Sequence, residues 1–290
     1  MSKNSILKLA KKDIFNTFQE NKTYVYSRQD LEKIFFDYRT YWRLSFNTYV
    51  KDLINFLIKE GKLKQYTFEF PDRKIVRYVW ERASLFKIIS TLRENSYFSH
   101  YSAVYLHGLT EQFPKTIYLN YEQSKKPRNT SSLKQENIDK AFRNNQRITN
   151  NIAILDDIKV MMLNGMNTNN SGVSTINEDS DQVPVTNLER TLIDITVRPN
   201  YSGGVFEVLK AYEKAKDKLS VNKLVAILKK VNYIYPYHQA IGFYLSKAGY
   251  SDSQINLLKK IEIKYDFYLT HKIEDMEYSK EWRLFFPKNF

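Results

Sequence analysis

Leu7, Ala10, Ile14 and Phe18 recur at three- and four-residue steps, the spacing that sets side chains on one face of a helix, so the chain is predicted to open with an amphipathic helix. Ser27-Arg28-Gln29-Asp30 then has the spacing of a capping box and should start a second helix carrying Leu31, Ile34 and Phe35. A third is predicted over 45–60, with Phe46, Val50, Leu53, Ile54, Leu57 and Ile58 buried and Gly61 placed to end it. The period then changes. Residues 63–70 are β-like, Pro71-Asp72-Arg73 reads as a turn, and 75–80 gives a second strand. Three helices followed by a hairpin is the order of a winged helix.

Beyond Ala83 the pattern is mixed. A helix is predicted through Leu85, Ile88, Ile89 and Leu92, another over 102–109, and a strand over 116–120. Two apolar runs, 152–155 and 158–162, flank Asp156-Asp157 and predict a hairpin. Residues 165–182 are rich in Asn, Ser, Thr and Asp with almost no apolar content, and read as a mobile surface loop. Helical segments are predicted over 187–197, 203–217, 220–231, 236–248 and 251–261, before a strand-like aromatic tail. No internal repeat is evident. The reading is therefore α+β, with an N-terminal winged helix-turn-helix over 1–82 and, over 83–290, a mixed α/β domain whose C-terminal part is helical.

Composition narrows the function classes. A chain of 290 residues with 42% hydrophobic and 15% aromatic positions can bury a sizeable core. The 45 Lys and Arg against 32 Asp and Glu give +13, which favours a polyanionic partner. Up to Arg82 there are 17 basic and 10 acidic residues, leaving 28 and 22 for the rest, so the excess is denser at the N-terminus. No apolar run is long enough for a membrane span and the start lacks a secretory core, so a cytoplasmic protein without membrane contact is expected. With Cys 0 there is no disulfide or thiolate site, and the four scattered histidines form no ligand pair, so neither a metal nor a cofactor is expected.

A winged helix reads DNA through polar side chains near the start of its third helix. Those predicted are Arg43, Ser45, Asn47, Thr48 and Lys51, whose types suit guanine, adenine and phosphate contacts. Ser45 serves equally well as a helix cap. Arg73 and Lys74 sit at the expected wing tip, where exposed bases are also common for solubility. Arg28 is a further candidate, and Arg39 and Tyr41 are weaker ones. Catalytic patterns are absent: there is no phosphate-cradling P-loop, no nucleophile elbow and no paired metal-binding aspartates, so no enzymatic activity is expected. Arg190 and Asp194 are four apart and can pair, a structural arrangement preferred over a catalytic acid at Glu189 or Asp194. Gly203-Gly204 reads as a helix-entry turn, and His107 as a packed, hydrogen-bonded residue.

The stretch from Phe98 through Ser102, His107, Gly108 and Leu109, followed by Pro114 and the strand Ile117-Tyr118-Leu119, resembles the opening of the AbiEi-type antitoxin domain. The likeness continues through Leu188-Glu189-Arg190-Thr191-Leu192-Ile193-Asp194, Arg198-Pro199 and Gly203-Gly204-Val205-Phe206-Glu207. It loosens at Gln239 to Leu245, where an Arg often seen beside Gly249 is replaced. With the N-terminal module, the resemblance spans residues 5 to 250. It implies an antitoxin of an abortive-infection (type IV) toxin–antitoxin pair, which represses its own operon by binding inverted repeats in promoter DNA. It also implies functional opposition to a nucleotidyltransferase-like toxin in phage defence, without a need for stable binding. An antitoxin that sequesters its toxin directly is the alternative, and a nucleic-acid-processing enzyme a more remote one.

Overall fold

The computed structural model describes residues 3–125 and 132–290, and the chain is mixed α+β, resolved into two compact units. The first runs to Glu94 and takes in Ile152–Asp157 and Asn177–Gln182; the second holds the remainder.

In the first unit, helix α1 (Lys3–Leu9) and helix α2 (Lys11–Glu20) are parted at Ala10, where one helix was expected. Strand β1 (Val25–Tyr26) leads into α3 (Arg28–Tyr38), capped as predicted: the Asp30 amide donates to Ser27 Oγ and the Ser27 amide to Asp30 Oδ2. Helix α4 spans Val50–Lys59 and ends at Gly61, whose φ of 70° lets the Lys62 amide reach the Leu57 carbonyl and close the last turn. Strands β2 (Leu63–Phe70) and β3 (Arg73–Trp80) pair antiparallel along their full length, and β1 joins β3 to give the order β1-β3-β2. Leu7, Ile14, Phe18, Leu31, Leu53 and Leu57 are fully buried between the helices and this sheet. Burial of each such side chain stabilises by about 2 kcal/mol. Trp80 stacks on Phe18 at 4.9 Å, and the buried Trp42 donates its indole N–H to Thr17. A short helix, α5 (Leu85–Ser90), follows, its first turn capped by Ser84.

The N-terminal start of the third predicted helix departs from expectation. Residues 45–48 form a turn in which the Asn47 amide donates to Ser45 Oγ and the Thr48 amide to the Ser45 carbonyl. Ser side chains offer the backbone this local alternative to helix, so α4 begins at Val50 and Phe46 is left 90% exposed instead of buried. Ile58, also expected in the core, is exposed.

The second unit contains β4 (Ser96–Phe98), α6 (His100–Leu106), β5 (Thr116–Glu122), α7 (Gln135–Arg143) and β7 (Ile158–Gly165); β6 (Ile152–Leu155), which precedes the Asp156-Asp157 turn, belongs to the first. Strands β8 (Val173–Glu178) and β9 (Asp181–Thr186) complete the sheet order β7-β5-β4-β9-β8. β5 runs parallel to β7 from Thr116 opposite Lys159 to Glu122 opposite Gly165. The expected loop over 165–182 is thus a correction: its second half is ordered strand. No residue of β8 is fully buried and Ser174, Thr175 and Asn177 are exposed, so it needs little apolar content and leaves little hydrophobic signal.

Helices α8 (Leu188–Val197), α9 (Val205–Ala215), α10 (Val221–Val231), α11 (Tyr237–Lys247) and α12 (Asp252–Lys259) follow where periodicity places them. The tail forms a small sheet in the order β10-β12-β11 from Phe267–Tyr268, Leu284–Pro287 and Met276–Ser279. Helices and tail share a core containing Leu192, Val208, Tyr212, Ile241, Tyr244 and Trp282.

Candidate nucleic-acid interface and cationic cavity

The eight predicted nucleic-acid residues are not equivalent. Arg43, at φ 52° in the turn after α3, and Lys51, in the first turn of α4, are exposed and stand in no ion pair among the described residues. Asn47 is exposed between them, and Ser45 is half-buried and spent on its turn. Thr48 is buried, with a hydroxyl that meets no partner, so its expected contact with a base or phosphate is corrected: the side chain points into the unit. Arg28 pairs with Glu32 at 3.0 Å, Arg73 with Asp72 at 2.7 Å and Lys74 with Glu69 at 2.7 Å. Exposed pairs of this kind are weak and exchange readily, yet Asp72 and Glu69 cancel the two positive charges at the hairpin tip.

Sequence reasoning missed two features here. Asn55 and Lys59 share the exposed face of α4 with Lys51, at steps of four that were available to periodicity. Arg39 donates to the carbonyls of Ser45 (3.3 Å) and Phe46 (3.5 Å), and its guanidinium lies over the Phe35 and Phe46 rings. It shapes the turn that precedes α4, a role that depends on a backbone path no pattern reveals. Phe46, Tyr49 and Tyr41 leave an exposed aromatic surface beside the free cations.

In the second unit a polar assembly forms around the motif residues Arg190 and Asp194. Its Nε donates to Asp194 Oδ1 at 2.7 Å, and its Nη1 donates to the Ser171 carbonyl at 2.7 Å and to Thr168 Oγ1 at 3.1 Å. Thr168 in turn donates from both its hydroxyl and its amide to Glu122, which also accepts from Tyr97 and from the Asn170 amide. A continuous chain of charged and polar groups therefore runs from Asp194 to Glu122 and fixes residues 168–171. Gly172, at φ 77°, is part of the fit: a Cβ there would lie 2.7 Å from Cβ of Arg190. Burial raises the Asp194 carboxyl, against the opposing pull of Arg190, while the carboxylate keeps Arg190 firmly charged. At Glu122 burial acts upward, but the hydrogen bonds from Thr168, Asn170 and Tyr97 prevail and hold it below the usual range.

The other motif residues have structural partners. Glu189 pairs with Lys223 at 3.1 Å. Ser102 Oγ accepts from the Tyr118 amide at 2.8 Å, and His107 Nε2 meets the Thr186 carbonyl at 2.6 Å. Gly108 closes α6 at φ 66°, and Gly203 and Gly204, at φ 81° and 95°, form the entry to α9. Arg198 donates to the Arg147 carbonyl at 3.0 Å.

Arg190, Asp194 and Arg198 open onto a cavity of about 1350 Å³ within the second unit. His100 lies in its wall, its imidazole pushed down to about 3 by burial and by the charges of Arg198 and Arg190, and hence neutral. Among the described residues no three His, Asp or Glu side chains gather as a metal site.

A solved structure, that of the RV2827C protein from Mycobacterium tuberculosis, has a similar fold. The TM-score is 0.60 at 13% identity, covering 98% of this chain and 90% of that one. No family model and no curated protein matches the chain. At that identity the likeness concerns fold, and function rests on the side chains. No helix among the described residues is long and apolar enough to cross a membrane.

Proposed function

We propose that the protein is a DNA-binding regulator whose first unit is a winged helix, with α4 as the reading helix and the β2–β3 hairpin as the wing. The observation that carries this is the exposed polar face at the start of α4. Arg43 and Lys51 stand there without counter-ions, and Asn47 and Asn55 beside them offer amides suited to base edges. The element order of helices, short strand, helices and hairpin supports it, as does the concentration of positive charge in the first 82 residues. Joined to the AbiEi-like motifs of the second unit, the reading is an antitoxin that represses its own operon from inverted repeats and opposes a nucleotidyltransferase-like toxin in phage defence, in the cytoplasm and without catalysis of its own. Arg190, Asp194 and Glu189 then serve to hold the antitoxin domain together.

The test is titration of the protein against a duplex of its own promoter region. Arg43→Ala with Lys51→Ala should weaken binding by about tenfold or more and flatten the dependence of log affinity on log salt by about two, one for each lost phosphate contact. Unchanged affinity and slope at physiological salt would remove α4 as the reader.

A further inference from the structure

We infer that the cavity of the second unit binds a nucleotide, with its phosphates held by Lys125, Arg147, Arg198 and Lys230. These four cations and Arg190 face the cavity together with a single carboxylate, Asp194. Asp194 is already committed to Arg190 at 2.7 Å, so the other four are not balanced by it. Nor does any of the four form an ion pair with a carboxylate among the described residues. Like charges lining one concave surface repel one another and their fields add there, so such a cavity selects an anion. Arginine forks and lysine ammonium groups together suit phosphate oxygens.

The remaining surface asks for more than phosphate. A volume of about 1350 Å³ far exceeds what an inorganic anion fills and accommodates a molecule of nucleotide size with its water. Ile148 and Ile234 line it while 63% and 59% exposed, apolar surface that is left in water unless a flat or apolar group covers it. Asn169 and Asn232 also line it, both at positive φ, with side-chain amides that can address the edge of a base or a ribose hydroxyl. Cations for phosphate, aliphatic faces for a ring and amides for its edge are the three requirements of a nucleoside polyphosphate. The inference is independent of the DNA reading, because Arg43 and Lys51 belong to the other unit.

The full chain, titrated with ATP and GTP carrying a fluorescent methylanthraniloyl group, provides the test. Saturable binding is expected, displaced by unlabelled ATP or GTP, with the free nucleosides and tripolyphosphate each competing at least about tenfold less well. Arg147→Glu and Lys230→Glu, both at exposed side chains and checked for folding by circular dichroism, should each lower affinity by about tenfold or more. Lys280→Glu makes the same change of charge on an exposed residue outside the cavity and should leave affinity unchanged, as should the paired Arg43→Ala and Lys51→Ala substitutions. Absence of saturable binding overturns the inference. So does equal weakening by Lys280→Glu, tripolyphosphate competing as well as the nucleotides, or a single-stranded oligoribonucleotide binding more tightly than either.

Discussion

A hydroxyl buried without a partner forfeits the hydrogen bonds it made to water, and Thr48 Oγ1 is in that position. Thr48→Val keeps the shape and removes the polar atom, so it should raise stability by about 0.5–1.5 kcal/mol, read as a shift of the urea midpoint without a change of slope. On the proposed DNA-binding reading it should also leave promoter affinity unchanged, because the side chain points away from solvent. Equal loss of stability and of DNA affinity would show that Thr48 is exposed to the duplex after all. The same residue marks how far single positions could be read from sequence. Residue types near α4 suited DNA, and Arg43 and Lys51 are exposed as required. The difference between Thr48 and Asn47, one buried and one free, was set by the Ser45 turn, which shifted the helix start to Val50. Once that start moved, every neighbouring side chain changed its direction, and Phe46 passed from core to surface.

At the scale of elements, helices α9, α10 and α12 were legible because each buries one stripe against its neighbours, and the stripe is written in the sequence at helical period, whereas α8 and α11 are buried on nearly every side and carry no such stripe. Contacts between elements leave no such mark. Gly242 sits in α11 under the fully buried Trp282, and a Cβ added to it would lie 2.2 Å from the indole ring. Alanine favours a helix over glycine by about 1 kcal/mol, yet here it would force the largest side chain of the core to move. Overpacking of this kind costs about 1–3 kcal/mol, so Gly242→Ala should lower the melting temperature instead of raising it. A rise would mean that the α11–tail contact is looser than described. The Arg190 assembly taught the same lesson from the polar side. Its pairing with Asp194 followed from a spacing of four, whereas Thr168 and Ser171, about twenty residues upstream, were hidden in a segment with no apolar period. Order there comes from hydrogen bonds to a buried guanidinium, which no count of hydrophobic residues registers.

The molecule as a whole carries its four histidines below their ordinary pKa, in each case with burial as the largest cause. At His100 the charges of Arg198 and Arg190 add to that burial and bring the value to about 3, far under the 6.5 of the exposed group. A base depressed in the folded state binds fewer protons there than in the unfolded chain. Stability is then complete above the unfolded value and declines as pH falls from 6.5 toward about 3, the window in which the unfolded chain takes up a proton that the folded one refuses. The positive φ of 53° at His100 makes asparagine the suitable replacement, since it tolerates that backbone conformation and does not titrate. In the middle of this window His100→Asn should therefore reduce the slope of unfolding free energy against pH by about 1.4 kcal/mol per pH unit, one proton's worth, whatever it does to absolute stability. Denaturant titrations at a series of pH values measure that slope directly. An unaltered slope would place the imidazole in contact with solvent, and the cavity wall it forms would have to be drawn without it.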